Sequence, residues 1–398
     1  MNAELHVFVE FARDLDAHSW RRRHAQGLVP DATPYGLHLL EEFGCTVRFR
    51  DPRLSPGLAE ASRVARRAAA GIDVVPSILA ARSELRRSAD VVLCMDEEAG
   101  IASALTPFGP PVVSGVAWLE NARELSPPHR WAARIALARM AGVFTQCSAM
   151  VEPLTTGFGM APDKVHTVRL GIDAEHFVPA PWPTGPPMVF SVGDDRMRDH
   201  ATLVTAMNTA HSHAPEMRFE LATTLPVQVD PAFTLVHRRR MDDAVRGCYA
   251  RASIVCVALH PTRQGSGLTV ILETMASGRP LVVTDNPGLS DYVRHGETGL
   301  LVPPGDPAAM ARAVDSLLQN PARARAMGER GRAVVEEMFT SRHMAEDLRG
   351  VLDAALARRS TTRTSLSAPA GRWRAAGGPL RPLRRLTHPG TAQPTEND

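Results

Sequence analysis

Short apolar runs alternate with longer stretches of mixed polarity along most of the chain. The first run, LHVFVEF from Leu5, reads as a strand. The polar, basic stretch that follows, RDLDAHSWRRRHAQGLVPDA, shows no apolar period and reads as a long loop. In TPYGLHLLEEFG, Thr33 can cap a helix, Pro34 suits its first position and Gly44 suits its end. Leu37, Leu40 and Phe43 fall near one face of that helix, and CTVRFR follows as a strand. ADVVLCM and PPVVSGV read as further strands with EEAGIASAL as the helix between them. HRWAARIALARMAG reads as a helix, VFTQCS as a strand and VHTVRLG as a short strand ending at Gly171. Strands alternating with helices argue for a parallel α/β sheet.

The alternation breaks at VPAPWPTGPP, residues 178–187, where five prolines in ten residues can continue neither a helix nor a central strand. This stretch reads as a linker. A second series then starts at MVFSVG, passes through the helix HATLVTAMNTAHSHA, the strand MRFELATT, the helix DDAVRGCYARA and the strand SIVCVAL, and reaches PLVVT. Asp306 caps and Pro307 begins PAAMARAVDSLLQN, and SRHMAEDLRGVLDAALARR reads as a final helix that can fold back on the first half. The expected organisation is therefore α/β, with two Rossmann-like domains at residues 1–178 and 188–357, a linker at 179–187 and a tail at 358–398. The tail is rich in Ser, Thr, Pro, Gly and Arg and reads as disordered.

Composition narrows the function classes. Hydrophobic residues make up 44% of the 398, enough for real cores, while 5% aromatics and a net charge of +2 argue against a nucleic-acid partner. The basic side chains are almost all arginine, with the single lysine Lys164, so any phosphate clamp must be built from arginine or backbone amides. Five cysteines without a CxxC pair suit a reducing cytoplasm. The first residues carry acids and no long apolar core, and no run is apolar enough to span a membrane. The arginine-rich tail, with Trp373 and several leucines, suits peripheral contact with an anionic membrane face.

The most informative stretch is HPTRQGSGLTVILETMASGRPLVVT, residues 260–284. Between two strands, GSGLTVILETMASG must be a loop entering a helix that ends near Gly278. Glycines let the backbone approach a ligand closely, and the helix start offers free amides and a positive dipole end to a phosphate. Leu268, Leu272, Met275 and Ala276 form the buried face, which leaves Glu273 to accept hydrogen bonds from a ribose diol or simply to face solvent.

This segment resembles the donor motif of retaining GT-B glycosyltransferases of family 4, which carry Glu-Gly-Phe-Gly-Leu, three residues, then Glu-Ala-Met-Ala-x-Gly-x-Pro-Val-Val. The likeness continues through DNPGLSDYVRHGETGLLVPPGDPAAMARAV and, upstream, through VRLGIDAEHFVP and CYARASIVCVAL. It is strong over roughly residues 140–355, weak before that and absent in the tail. The resemblance implies two domains facing across a cleft, with a UDP- or GDP-linked sugar held by the second and a hydroxyl acceptor by the first. It implies no cofactor and no metal, the nucleotide sugar being a substrate. It places Glu273 on the donor ribose and the amides of Ser266, Gly267, Leu268 and Thr269 on the diphosphate. The motif's first glutamate falls at Gly265, with Gln264 beside it as a substitute sugar contact.

The family's diphosphate clamp is an arginine and a lysine in Gly-Arg-Leu-x-x-x-Lys-Gly. Here VGDDRMRDHATL starts that loop at Gly193, puts Asp194 and Asp199 at the two cationic positions, and sets Arg196 and Arg198 between them. Arg198, nearest the missing lysine, is the expected stabiliser of the leaving diphosphate, with Arg196 and Arg263 as further candidates. The family's active-site histidine is replaced by Ala117 and Trp118. Candidates for the acceptor side are Arg21, Arg22 and His24 in the first loop, with Arg23 completing a basic cluster, and one of Asp96, Glu97 and Glu98 after a strand end. The basic cluster suits an acidic acceptor. A non-catalytic scaffold with the same fold, or a sugar-nucleotide epimerase, stays open as an alternative.

Overall fold

The computed structural model describes residues 4–12, 15–50, 55–68, 72, 74–107 and 109–367. Two six-stranded sheets carry the architecture. The first holds β1 (Leu5–Glu10), β2 (Cys45–Phe49), β3 (Val91–Cys94), β4 (Val112–Gly115), β5 (Gly142–Thr145) and β6 (Val165–Thr167) in the order β2-β1-β3-β4-β5-β6. The second holds β7 (Met188–Val192), β8 (Arg218–Ala222), β9 (Thr234–His237), β10 (Ile254–Val257), β11 (Leu281–Thr284) and β12 (Leu300–Val302) in the order β12-β11-β10-β7-β8-β9. Every ladder is parallel. Central strands such as VVLC and IVCV are buried at each position, as parallel strands covered on both faces must be.

In each sheet the strand order reverses once, between β1 and β3 in the first and between β7 and β10 in the second. Ligands in open parallel sheets bind beyond the carboxyl ends of the strands at such reversals. One continuous buried cluster joins Val7, Val9 and Leu93 of the first sheet to Phe190, Val257 and Leu272 of the second half. The proline-rich segment is tied to the second half by Arg279, which is 1% exposed and donates to the carbonyls of Ala180, Pro181 and Ala250 at 3.1, 3.0 and 2.7 Å.

Two expectations need correction. The stretch read as a basic loop contains a helix, Ala17–Ala25, capped by Asp16, whose carboxylate accepts from the His18 amide at 2.8 Å. Its helical character was hidden because it buries little beyond Ala17, and Trp20 anchors it instead by donating from its indole to the Pro30 carbonyl at 3.1 Å. The final helix runs Ser341–Ser367, past the boundary expected at 358, and the rest of the tail with Trp373 lies outside the described residues. That helix returns to the first half, where Arg349 donates to the Phe43 carbonyl at 2.7 Å and Arg358 to that of Asp163 at 2.7 Å. The segment from Pro34 to Phe43 is a tight helix interrupted at Tyr35 and Gly36, both at positive φ, with the Thr33 hydroxyl accepting from the His38 amide at 2.9 Å.

Candidate functional site

A cavity of about 260 Å³ lies where the carboxyl ends of both sheets meet. The first half contributes Tyr35, Asp96 and the segment Gly115–Trp118, and the second contributes Asp195, Arg198 and the turn Gln264–Thr269. The turn takes its shape from Gly267, whose φ of 80° is the left-handed conformation that an L side chain adopts at a cost. It leads directly into the helix Leu268–Ala276, and no side chain caps that helix. Its first amides therefore face the cavity wall without the side-chain oxygen that ordinarily satisfies them.

The loop after β7 supplies the cation. Arg198 is drawn in by Asp195, whose carboxylate accepts from Nε at 2.7 Å, and its side chain is 7% exposed. Gly193 makes room for it, since a Cβ there would collide with the guanidinium. The loop is pinned to the end of β10 by Asp199 N donating to the Ala258 carbonyl at 3.0 Å and His260 N donating to that of Met197 at 2.8 Å. Among the described residues, Arg198 Nη1, Gln264 Oε1 and Ser266 Oγ are buried with no hydrogen-bond partner, and all three residues line this one cavity. Buried polar atoms are almost always paired, so three orphans around one space mark it as built for a polar guest. Their chemistry, a cation and neutral polar groups beside open helix amides, fits a diphosphate and a hydroxyl-rich sugar.

Glu273 lies one turn beyond Thr269 and is half-buried, but it is not among the cavity's lining residues. Its carboxylate accepts from the Tyr249 hydroxyl at 2.7 Å. Burial lifts its carboxyl to about 7, against the opposing pull of the Tyr249 hydrogen bond and the Arg198 charge. Tyr249 is fully buried and had no distinguishing signal in the sequence beyond its helix position. The aspartates at the two cationic positions of the family pattern serve the fold. Asp194 accepts from Thr224 N at 2.5 Å and from Thr223 Oγ1 at 3.1 Å, and Asp199 caps the helix His200–His213 through Thr202 N at 3.0 Å.

Several expected contacts are not brought to this cavity. Arg263 does not line it: its side chain pairs with Glu152 at 2.5 Å and its amide donates to Glu120 at 2.7 Å. Arg196 is exposed, with its guanidinium 5.6 Å from the centre of the Trp118 ring. Arg21, Arg22 and His24 do not line the cavity, since the helix they sit on points Arg21 over Phe49 and sets His24 Nδ1 3.2 Å from the Val29 carbonyl. Asp96 lines it and caps the helix Glu97–Leu105 through the Ala99 amide at 3.0 Å, whereas Glu98 does not line it. Between them Glu97 is buried, accepts from the amides of Ala117 and Trp118 at 3.0 and 2.7 Å, and is lifted by burial to about 7. Glu97 thus fixes the backbone at Ala117 and Trp118. Among the described residues Glu220, His237 and Cys248 form a group able to hold a metal ion, at the β8–β9 edge, where Arg251 already donates to Glu220 at 2.9 Å. No described helix is long and apolar enough to cross a membrane.

Comparison with known proteins agrees with this geometry. Residues 197–320, which include the Arg198 loop and the glycine turn, match the family described as glycosyl transferases group 1. Alpha-maltose-1-phosphate synthase of Mycolicibacterium smegmatis is 30% identical over 253 residues, covering 54% of this chain and 64% of that protein. The chain spans between 22% and 64% of the length of three curated relatives it matches. Among solved structures, sucrose-phosphate synthase from Thermosynechococcus elongatus superposes with a TM-score of 0.63 at 17% identity, over 92% of this chain and 99% of that one. Anabaena HepE, solved in complex with UDP and glucose, does so with a TM-score of 0.59 at 14% identity, over 87% and 99%. Residues 197–320 thus carry a segment similar to the glycosyl transferases group 1 family, on the second of two parallel sheets that meet at a polar cavity, and the chain has the GT-B fold.

Proposed function

We propose that this chain is a retaining glycosyltransferase that moves a sugar from a UDP- or GDP-linked donor to a hydroxyl acceptor, in glycan, glycolipid or glycosylated-metabolite synthesis, without a resident metal ion. The observation that carries this reading is the set of orphaned buried atoms, Arg198 Nη1, Gln264 Oε1 and Ser266 Oγ, around one cavity beside an uncapped helix start. The donor would lie on residues 188–357 and the acceptor on residues 1–178. Arg198 and the amides from Ser266 to Thr269 would hold the diphosphate, and Gln264 would bond a sugar hydroxyl in place of the missing carboxylate. As the sugar–phosphate bond breaks, negative charge grows on the leaving oxygen, and preorganised donors aimed at that oxygen lower the barrier. The acceptor hydroxyl then attacks on the face the diphosphate leaves, and its proton passes to a diphosphate oxygen. Glu273 would sit at the nucleotide end, taking ribose hydroxyls on the side of its carboxylate away from Tyr249. Peripheral contact with an anionic membrane is part of the same proposal and rests on the tail's arginines.

The test is calorimetric titration with UDP and GDP, followed by assay for donor-dependent release of the preferred nucleotide. Binding of one nucleotide in the micromolar range together with release supports a transferase. Binding without release from any sugar of that nucleotide favours the non-catalytic scaffold, a reading that Gly265 and Trp118 at two family active-site positions favour. Binding of neither nucleotide sinks both.

A further inference from the structure

A second cavity, of about 790 Å³, opens beside the first and is lined by Arg123, Arg130, Arg134 and Arg263 together with Glu120 and Glu152. The two cavities share a wall, since Arg263 lines this one and its chain neighbour Gln264 lines the other. The loop after β4 and the segment after β5 form its rim, so it too lies at the carboxyl edge of the first sheet.

Its charges are unevenly satisfied. Glu120 is engaged twice across the halves, by Thr262 Oγ1 at 2.7 Å and by the Arg263 amide at 2.7 Å. Glu152 pairs with Arg263 at 2.5 Å. That leaves Arg123, Arg130 and Arg134 without a carboxylate partner among the described residues. Arg130 and Arg134 are four apart on the helix Pro127–Arg139, where like charges repel by a few tenths of a kcal/mol. Arg134 is steadied by donating to the Gly157 carbonyl at 3.1 Å. Arg123 is set by a tight turn in which its own amide donates to Asn121 Oδ1 at 3.0 Å and Asn121 Nδ2 donates to Glu124 at 2.8 Å. Three guanidiniums around one concavity match a doubly charged anion better than a single carboxylate, and arginine's fork suits phosphate oxygens.

We propose that this cavity binds a phosphate monoester carried by the hydroxyl acceptor, which sets the acceptor class as phosphorylated. The proposal rests on the glycosyltransferase reading for the word acceptor, but not for the anion site itself. A ligand anchored by its phosphate here extends past Arg263 and Trp118 to bring a hydroxyl to the donor cavity.

The test measures glycerol 3-phosphate binding to the full chain by calorimetry, with UDP present in excess so that the diphosphate site is filled. The same titration is run on Arg130→Gln/Arg134→Gln and on Arg123→Gln, with the thermal midpoint as a check of folding. The expected result is binding that weakens at least about tenfold in the double variant and less in the single one, with UDP affinity unchanged in both. A parallel arm uses phosphatidylcholine vesicles with and without phosphatidic acid. Arginine-dependent capture of the phosphatidic acid vesicles assigns the phosphate to a lipid headgroup, and binding of the soluble ester alone assigns it to a free metabolite. The proposal is overturned if the wild-type chain binds neither probe, or if the double variant binds them as well as the wild type. Should UDP fail to bind while glycerol 3-phosphate binding still depends on these arginines, the donor reading falls and the anion site stands.

Discussion

Replacing Glu273 by glutamine separates what this carboxylate costs the fold from what it gives a ligand. Burial lifts its carboxyl from an ordinary 4.5 to about 7. A native value above the unfolded one means that the folded state holds the proton more tightly. Below pH 4.5 both states are protonated and the group is neutral to stability. As pH rises toward 7 the unfolded state ionises first, and above 7 the folded state carries an ion it disfavours, at a cost of roughly 3 kcal/mol. Glutamine keeps an oxygen for the Tyr249 hydroxyl, now 2.7 Å away, and brings no charge. The raised value already contains the pull of Arg198, so the gain at pH 8 is at most about 3 kcal/mol. Glu273→Gln should therefore raise the thermal midpoint at pH 8 and leave it nearly unchanged at pH 4.5. The same variant should weaken UDP binding about 10- to 150-fold, the worth of one hydrogen bond to a charged group. Scanning fluorimetry at the two pH values and calorimetry at pH 8 read both arms. A midpoint at pH 8 that is unchanged or lower would refute the argument that the ion is held against burial. An unchanged UDP affinity would remove Glu273 from the nucleotide site.

Three further outcomes follow from the same contacts. Arg198→Gln should weaken UDP binding about 10- to 150-fold by calorimetry, the range for a hydrogen bond to a charged group, while moving stability by no more than about 1 kcal/mol, because it removes an orphaned buried donor along with the Asp195 pair. Gly267→Ala forces an L side chain to φ 80° with its Cβ 3.2 Å from Val257, and should cost about 1–2 kcal/mol in denaturant unfolding and lower nucleotide affinity as the turn shifts. Arg279→Met strips the donor from the carbonyls of Tyr249, Ala180, Pro181 and Ala250, and should destabilise by about 2–4 kcal/mol, about 1 per hydrogen bond lost, and expose residues 178–187 to limited proteolysis.

The fold was legible where apolar runs were short and bounded by turn residues. The strands from LHVFVEF to PLVVT follow that rule, and the glycine turn could be placed because GSG must link a buried strand to an apolar helix. β9 and β12 went unread because TLVH is half-exposed and LLV is three residues long, each too brief to show a period. The helix Ala17–Ala25 was missed for the opposite reason, being held by a cap and one tryptophan instead of an apolar stripe. In the site, chain position distinguished Arg198 from Arg263 only weakly. What separates them is Asp195, three residues before Arg198, and Glu120 and Glu152, which reach Arg263 from distant parts of the chain. Local pairing can be read from spacing and long-range pairing cannot. Glu97 shows the same limit, since DEE offers three carboxylates and only the packing decides which one turns inward to Ala117 and Trp118.

The loop after β7 carries three aspartates against Arg196 and Arg198, an unpromising composition for gripping a diphosphate. The structure resolves the conflict by giving each carboxylate other work. Asp194 closes the Thr223–Thr224 turn, Asp199 caps the helix His200–His213, and Asp195 orients Arg198 so that Nη1 is left over. A carboxylate saturated by amides and hydroxyls projects less field than a bare one, whereas an unpaired guanidinium nitrogen in a dry wall projects more. With Arg196 over Trp118 and not lining the cavity, Arg198 is the one cation among the described residues that lines it beside the turn from Gly265 to Thr269. A diphosphate there would be held more by neutral donors, the helix amides and Ser266, than by charge. Neutral donors fixed by the backbone need no reorganisation as charge moves onto a leaving group, so on the proposed reaction a site with amides in place of a second cation would keep its stabilising power in the transition state.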